Sequence, residues 1–342
     1  MPGRCVRLLT AVGLVATLVA CGGPGGTADS DSAGSTSGPP LSASERQLVG
    51  AWSLARIERR DADGEPLSPP VEDRLGYLIY DASGHMGVTL MRPGREPYSD
   101  DGPTADEALA QFGSYTSYFG RFSIDDSDGT VTHHLEGSLD PGGIGADYTR
   151  AYALAEDQLT LQPPPAPDGS TIALTWLRQP DLPASELSDT HGQLFGAYRI
   201  DSVSRHTTDG FAIDADQYET GYLFYTPSGH MSVHLMRPGR APFAGESPTA
   251  EEALRLSETY VSYFGPYEVN EMAGCITCPG PRDQGYLIHR PVGSADPRGR
   301  GTEARRYYEL SDTHLTLRPP VRTDDEGREV VTALRWTRLP TH

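Results

Sequence analysis

The sequence predicts an all-β fold: two tandem antiparallel β-barrels, each with one short helix. Three observations carry this. First, Gly76–Tyr98 (GYLIYDASGHMGVTLMRPGREPY) and Gly221–Phe243 (GYLFYTPSGHMSVHLMRPGRAPF) are identical at 16 of 23 positions without a gap, and the match extends outward to Leu48–Arg178 and Leu194–Arg338. One fold has been duplicated within the 342 residues. Second, each copy holds seven or eight short strand-like segments divided by turn residues, a pattern that builds barrels and sandwiches. Third, only one helix signal interrupts the strands in each copy, at Thr104-Ala105-Asp106-Glu107 and Thr249-Ala250-Glu251-Glu252. In both, threonine accepts from the third helical N–H and the glutamate reaches back, a capping box.

From the N-terminus, Arg4 and Arg7 precede an apolar run, Leu8 to Ala20, that is short for a permanent membrane span and has the form of an export signal. Its end, Leu18-Val19-Ala20-Cys21, resembles a bacterial lipoprotein signal. That resemblance implies cleavage after residue 20, lipidation of Cys21 and a protein held on the cell envelope outside the cytoplasm. Residues 21–45, nearly all Gly, Pro, Ser, Thr, Ala and Asp, bury too little apolar surface to fold and read as a tether of about 25–30 Å root-mean-square reach. The first barrel is expected over 46–179, a Pro- and acid-rich linker over 180–191, and the second barrel over 192–342.

Within the first copy, strands are expected at 49–59, 77–80, 85–90, 118–125, 129–137, 147–154, 158–163 and 171–178. Asp81-Ala82-Ser83-Gly84 supplies the turn of a hairpin that Tyr222–Leu235 repeats. Met86, Val88 and Leu90 alternate with His85, Gly87 and Thr89, which places one face of that strand on a core. Each helix is expected to run about three turns, ending before Tyr118-Phe119-Gly120 or Tyr263-Phe264-Gly265, where it plugs or lids one end of its barrel.

Composition narrows the function. The chain has no lysine, so all 28 basic residues are arginine, and the net charge of −19 becomes −21 once Arg4 and Arg7 leave with the signal. Phosphate backbones repel such a chain, which argues against a nucleic-acid partner. Lysine-dependent Schiff-base chemistry is excluded. No nucleophile elbow, phosphate loop, dinucleotide fingerprint or metalloprotease helix is present. Apart from Cys5 and Cys21 the cysteines are Cys275 and Cys278, in a GCITCPGP insert that the first copy lacks. In an exported chain this spacing reads as a local disulfide.

Gly50-Ala51-Trp52, the Gly-His-Met hairpin, Ser117-Tyr118-Phe119-Gly120, Val131-Thr132-His133-His134-Leu135-Glu136, Arg150-Ala151-Tyr152 and Trp176-Leu177-Arg178 together resemble the lipocalin-like domain family. The second copy follows with Gly196-Ala197-Tyr198, Ser262-Tyr263-Phe264-Gly265, His289, Arg306-Tyr307-Tyr308 and Trp336-Thr337-Arg338. The resemblance implies calycin-type barrels with interior cavities. It also implies an arginine packed across an aromatic near each closed end, Arg178 on Trp52 and Arg338 on Tyr198.

Candidate site residues follow from the duplication. Arg92, Arg95, Tyr118 and Arg150 recur as Arg237, Arg240, Tyr263 and Arg306, either as structural pairs or as the polar handle for an anionic or carbonyl-bearing ligand. Met86, Val88, Tyr115 and Phe119 are candidate apolar contacts. His133 and His134 point to opposite faces of a strand and do not share an ion, so no metal or other cofactor is called for. His134 and Glu136 share a face and form a candidate acid/base pair, with His289 aligned to His134, and Ile288 and Pro291 standing where His133 and Glu136 stood. The leading expectation is a binder or carrier of a small hydrophobic molecule. The alternatives are a cofactor-free isomerase or cyclase acting on a polyketide- or terpenoid-like substrate, and a surface interaction module with filled barrels.

Overall fold

The structure is a computed structural model that describes residues 40–100, 102–245, 247–271 and 284–341. The signal, Cys21, most of the 21–45 tether, and Cys275 and Cys278 lie outside the described residues. In the first copy β1 (Gly50–Arg60), β2 (Leu75–Tyr80), β3 (His85–Met91), β4 (Tyr115–Asp125), β5 (Thr130–Ser138), β6 (Asp147–Ala155), β7 (Gln158–Gln162) and β8 (Thr171–Arg178) pair in chain order. Antiparallel pairing of β1 with β8, from Trp52 opposite Arg178 to Arg60 opposite Thr171, closes the barrel and leaves no free edge.

The second copy comprises β9 (Gly196–Thr207), β10 (Ala212–Ile213), β11 (Thr220–Tyr225), β12 (His230–Met236), β13 (Tyr260–Glu271), β14 (Gly285–His289), β15 (Gly293–Ser294), β16 (Ala304–Leu310), β17 (His314–Arg318), β18 (Arg322–Thr323) and β19 (Glu329–Arg338). Eight of these make the barrel, closed by β9 against β19, while the two-residue strands β10, β15 and β18 are appended to β9, β13 and β19. The chain is all-β, two tandem eight-stranded barrels.

The helices are α1 (Ala43–Leu48), α2 (Ala105–Phe112), α3 (Asp189–Leu194) and α4 (Ala250–Ser257). Thr104 and Thr249 close both capping boxes, and two backbone N–H groups hold the Glu107 carboxyl down at about 2. These helices are two turns long and not three, because β4 and β13 begin at Tyr115 and Tyr260, ahead of the expected start. α1 and α3 reach into the segments read as tether and linker. Leu48 and Leu194, fully buried, plug the barrels and give short polar stretches a reason to coil.

The arginine–aromatic pairs form as implied. The Arg178 guanidinium lies 4.1 Å from the Trp52 ring centroid and that of Arg338 lies 4.7 Å from Tyr198. Each arginine also donates to carbonyls at the end of α1 or α3, Val49 and Phe195 at 2.8 Å. Tyr198 replaces Trp52 without loss of the bond the ring makes: the indole donates to the Leu48 carbonyl at 2.9 Å and the phenol to that of Leu194 at 3.0 Å.

Gly120 and Gly265 explain the repeated Tyr-Phe-Gly. A β-carbon at Gly120 would lie 2.0 Å from the His134 carbonyl oxygen, and one at Gly265 2.1 Å from that of Arg290, because the pairing register shifts there. Only glycine lets the neighbouring backbone approach so closely.

Candidate functional site

On β5, Val131, His133 and Leu135 are buried and alternate with the more exposed Thr132, His134 and Glu136. The alternation holds, and its inner face carries His133. Its imidazole is fully buried, with Nε2 2.6 Å from the Tyr80 hydroxyl and Nδ1 3.1 Å from that of Tyr118. Arg150 donates to the same Tyr118 hydroxyl at 3.2 Å. Burial first, and then the Arg150 charge, push the His133 pKa well below its ordinary value, so the ring is neutral.

The second barrel repeats this cluster. His289 Nε2 is 2.7 Å from the Tyr225 hydroxyl and Nδ1 is 2.9 Å from that of Tyr263, with Arg306 nearby. His289 stands opposite Tyr267 as His133 stands opposite Phe122, so His289 is the counterpart of His133 and not of His134. The counterpart of His134 is Arg290, since their carbonyls meet the equivalent glycines. The sequence alignment slipped by one residue here because β14 is reached through the insert, which removes the ungapped register.

His134 faces outward, 2.7 Å from Asp147 and 2.8 Å from Ser123, with its side chain 41% exposed. Glu136 leaves the barrel too: it pairs with Arg121 at 3.1 Å and accepts from the Tyr222 hydroxyl of the second barrel. The expected acid/base pair therefore does not face the interior of the first barrel. The parity was readable, because Val131 and Leu135 mark the face that His133 shares as the apolar one.

The first barrel holds a cavity of about 380 Å³. Val88, Leu90, Leu161, Leu174 and Trp176 form much of its wall, and Tyr118, Tyr148 and Arg150 its polar side. Arg150 is fixed there by stacking on Tyr118 and Tyr148, 5.8 and 5.2 Å from the ring centroids, and by donating to the Tyr148 carbonyl at 2.8 Å. The Trp176 indole N–H, buried, has no hydrogen-bond partner among the described residues. Of the apolar candidates, Val88 and Tyr115 line this cavity, Met86 packs in the barrel core and Phe119 packs outside it. Tyr148 and Trp176 were missed, and their alternation with Arg150 and Leu174 was the available signal.

The remaining arginines have other duties. Arg95 stacks on Tyr115 and donates to the Ser294 and Ala295 carbonyls of the second barrel. Arg240 stacks on Tyr260 and donates to the Ser138 and Leu139 carbonyls of the first, at 2.7 and 2.6 Å. They are reciprocal clamps between the barrels. Arg92 lies exposed on the loop after β3, and Arg237 pairs with Asp216 at 2.9 Å. Among the described residues no three His, Cys, Asp or Glu side chains gather as a metal site.

Residues 49–179 and 195–339 each match the lipocalin-like domain family. A protein of unknown function from the DUF3598 family of Nostoc punctiforme PCC 73102 aligns at 13% identity over 86% of this chain and 97% of its own, with a TM-score of 0.22. Bovine odorant binding protein, in complex with a selenium-containing odorant, aligns at 12% identity over 47% of this chain and 80% of its own, with a TM-score of 0.23. No curated protein matches the chain. The two family matches cover both barrels and most of the sequence, and on them the chain belongs to the lipocalin-like domain family, which it carries in two copies.

Proposed function

We propose that the chain is a lipid-anchored protein of the cell envelope whose first barrel binds or carries a small hydrophobic molecule. The observation that carries this is the cavity of about 380 Å³, apolar over most of its wall and polar along one side. Eight-stranded barrels of this kind have room for one small ligand, and a mostly apolar pocket with a few fixed polar groups selects its orientation. Arg150 is the charged donor on the polar side, which suits a ligand bearing a carbonyl, ether or carboxylate oxygen at one end. The anchor rests on the Leu18-Val19-Ala20-Cys21 resemblance, and the acidic surface disfavours nucleic acid as a partner.

The test is to purify the full chain, extract it with organic solvent and analyse the extract by mass spectrometry, beside Leu174→Trp, which fills the cavity. An apolar molecule present with wild type and absent with a folded Leu174→Trp supports the reading. An empty extract and no thermal shift across a panel of lipids and apolar metabolites would favour an interaction module. Separately, Cys21→Ala is expected to move the protein from the membrane fraction to the soluble one; unchanged membrane recovery would sink the anchor.

A further inference from the structure

A second cavity, of about 410 Å³, lies outside both barrels and between them. Its walls come from both copies: Phe112 and Tyr115 from the first, Ala253, Tyr260 and Ser262 from the second. We propose that this chamber is a second ligand site, for a neutral aromatic molecule of two or three rings that carries one N–H or O–H. The inference is independent of the cavity in the first barrel, from which the chamber is divided by Phe112, Tyr115 and Leu139, residues that line both.

Three features specify the ligand. Small side chains, Ala108 on α2 and Ala253 on α4, stand in the wall where the two helices come together and take up little of the space between them. Buried hydroxyls form a connected cluster: Tyr115 is 3.1 Å from Ser262 Oγ, and Ser117 Oγ is 2.9 Å from both Ser262 Oγ and the Tyr260 hydroxyl. Ser117 Oγ is also 3.1 Å from His234 Nδ1 and is fully engaged, whereas the Tyr115 phenol, in the chamber wall, is engaged with Ser262 alone, and its oxygen keeps acceptor capacity for a ligand N–H or O–H. The third feature is charge. The Tyr115 and Tyr260 rings already hold the Arg95 and Arg240 guanidiniums, which disfavours a cationic ligand, and those guanidiniums are themselves committed to carbonyls across the seam. Arg298 is paired with Asp296 at 2.8 Å, and Glu258 adds negative charge that opposes an anion. Val261, 39% exposed, puts an apolar side chain in the lining that water reaches.

The experiment is a fluorescence titration of the full chain with N-phenyl-1-naphthylamine, a neutral three-ring aromatic amine with one N–H. Ser257→Trp narrows the chamber from α4 and Val261→Trp narrows it from an exposed position that the fold tolerates; Leu174→Trp fills the barrel cavity instead. The expected result is a site that survives Leu174→Trp and weakens at least tenfold in Ser257→Trp or Val261→Trp. Two probes per wild-type chain, each removed by its own variant, would support both sites. Binding removed by Leu174→Trp and untouched by both chamber variants would overturn the chamber while leaving the barrel reading intact. No binding at all would also overturn it.

Discussion

At the scale of single residues, the two copies differ where they touch. His234 and Thr89 occupy equivalent positions on β12 and β3, as do Ser232 and Gly87. His234 is fully buried against the first barrel, and a β-carbon on Gly87 would lie 2.6 Å from its Nε2. Gly87→Ala is therefore expected to destabilise by about 1–3 kcal/mol through overpacking. Adding His234→Thr should recover much of the loss in a urea titration; additive effects would show that the contact is not the cause. The buried histidines also set a pH dependence. Burial lowers His133 and His289 well below the ordinary imidazole value and His234 to about 3. All three stay neutral when folded and take up protons below about 6.5 when unfolded, so stability falls as pH drops through that value. Each contributes a slope approaching about 1.4 kcal/mol per pH unit until its folded pKa is reached. Urea midpoints at pH 7.5 and 5.0 check this, and equal midpoints would refute it.

At the scale of elements, the loop after β3 and the loop after β12 serve as clamps because each carries an arginine held over a tyrosine. The two clamps are not equally well made. Arg95 Nε donates to Gln111 at 2.7 Å and Ser114 at 3.1 Å, whereas Leu256 replaces the glutamine in the second copy and Arg240 Nε, buried, has no partner among the described residues. Leu256→Gln is expected to stabilise by about 1 kcal/mol if its amide oxygen reaches Nε, read as a raised melting temperature. A lowered one would mean that the lost apolar packing outweighs the new bond. Arg95→Ala and Arg240→Ala should each cost at least about 2 kcal/mol, because two carbonyls lose charged donors and a tyrosine loses its stacked guanidinium. A loss under about 0.5 kcal/mol in either would place the clamp among weak surface contacts.

At the scale of the whole molecule, the barrels meet through a seam in which several contacts have a reciprocal. Tyr77 packs edge-on against His230 at 5.1 Å and Tyr222 against His85 at 5.0 Å; Tyr77 meets Phe264 at 4.9 Å and Tyr222 meets Phe119 at 5.3 Å. The internal duplication has thus kept the arithmetic of a twofold dimer, in which one surface patch serves both partners. Ala51, Ile79, Phe119, Ala197, Phe224 and Phe264 form a buried apolar cluster there that belongs to neither barrel alone. The two copies are expected to unfold in one calorimetric transition, with equal calorimetric and van't Hoff enthalpies. Two resolved transitions would show that the seam is weaker than either barrel.

The sequence by itself determined the duplication, the strand content, both capping boxes, and the opposite facing of His133 and His134, while the arginines stacked on Trp52 and Tyr198 were implied by the family resemblance alone. These are local or periodic properties, fixed by spacing along the chain. Which of the two histidines faces inward also had a sequence signal, in the apolar parity of Val131 and Leu135. The tertiary structure decided the rest. Tyr77, His85 and Arg95 recur in the second copy because the same patch is buried twice, and a linear comparison cannot separate a residue retained for a cavity from one retained for a seam. Glu136 meets Tyr222, and Arg240 meets Ser138, only after both barrels close and dock. The two cavities exist for the same reason: their walls are assembled from residues far apart in the chain, whose distances closure and docking alone set.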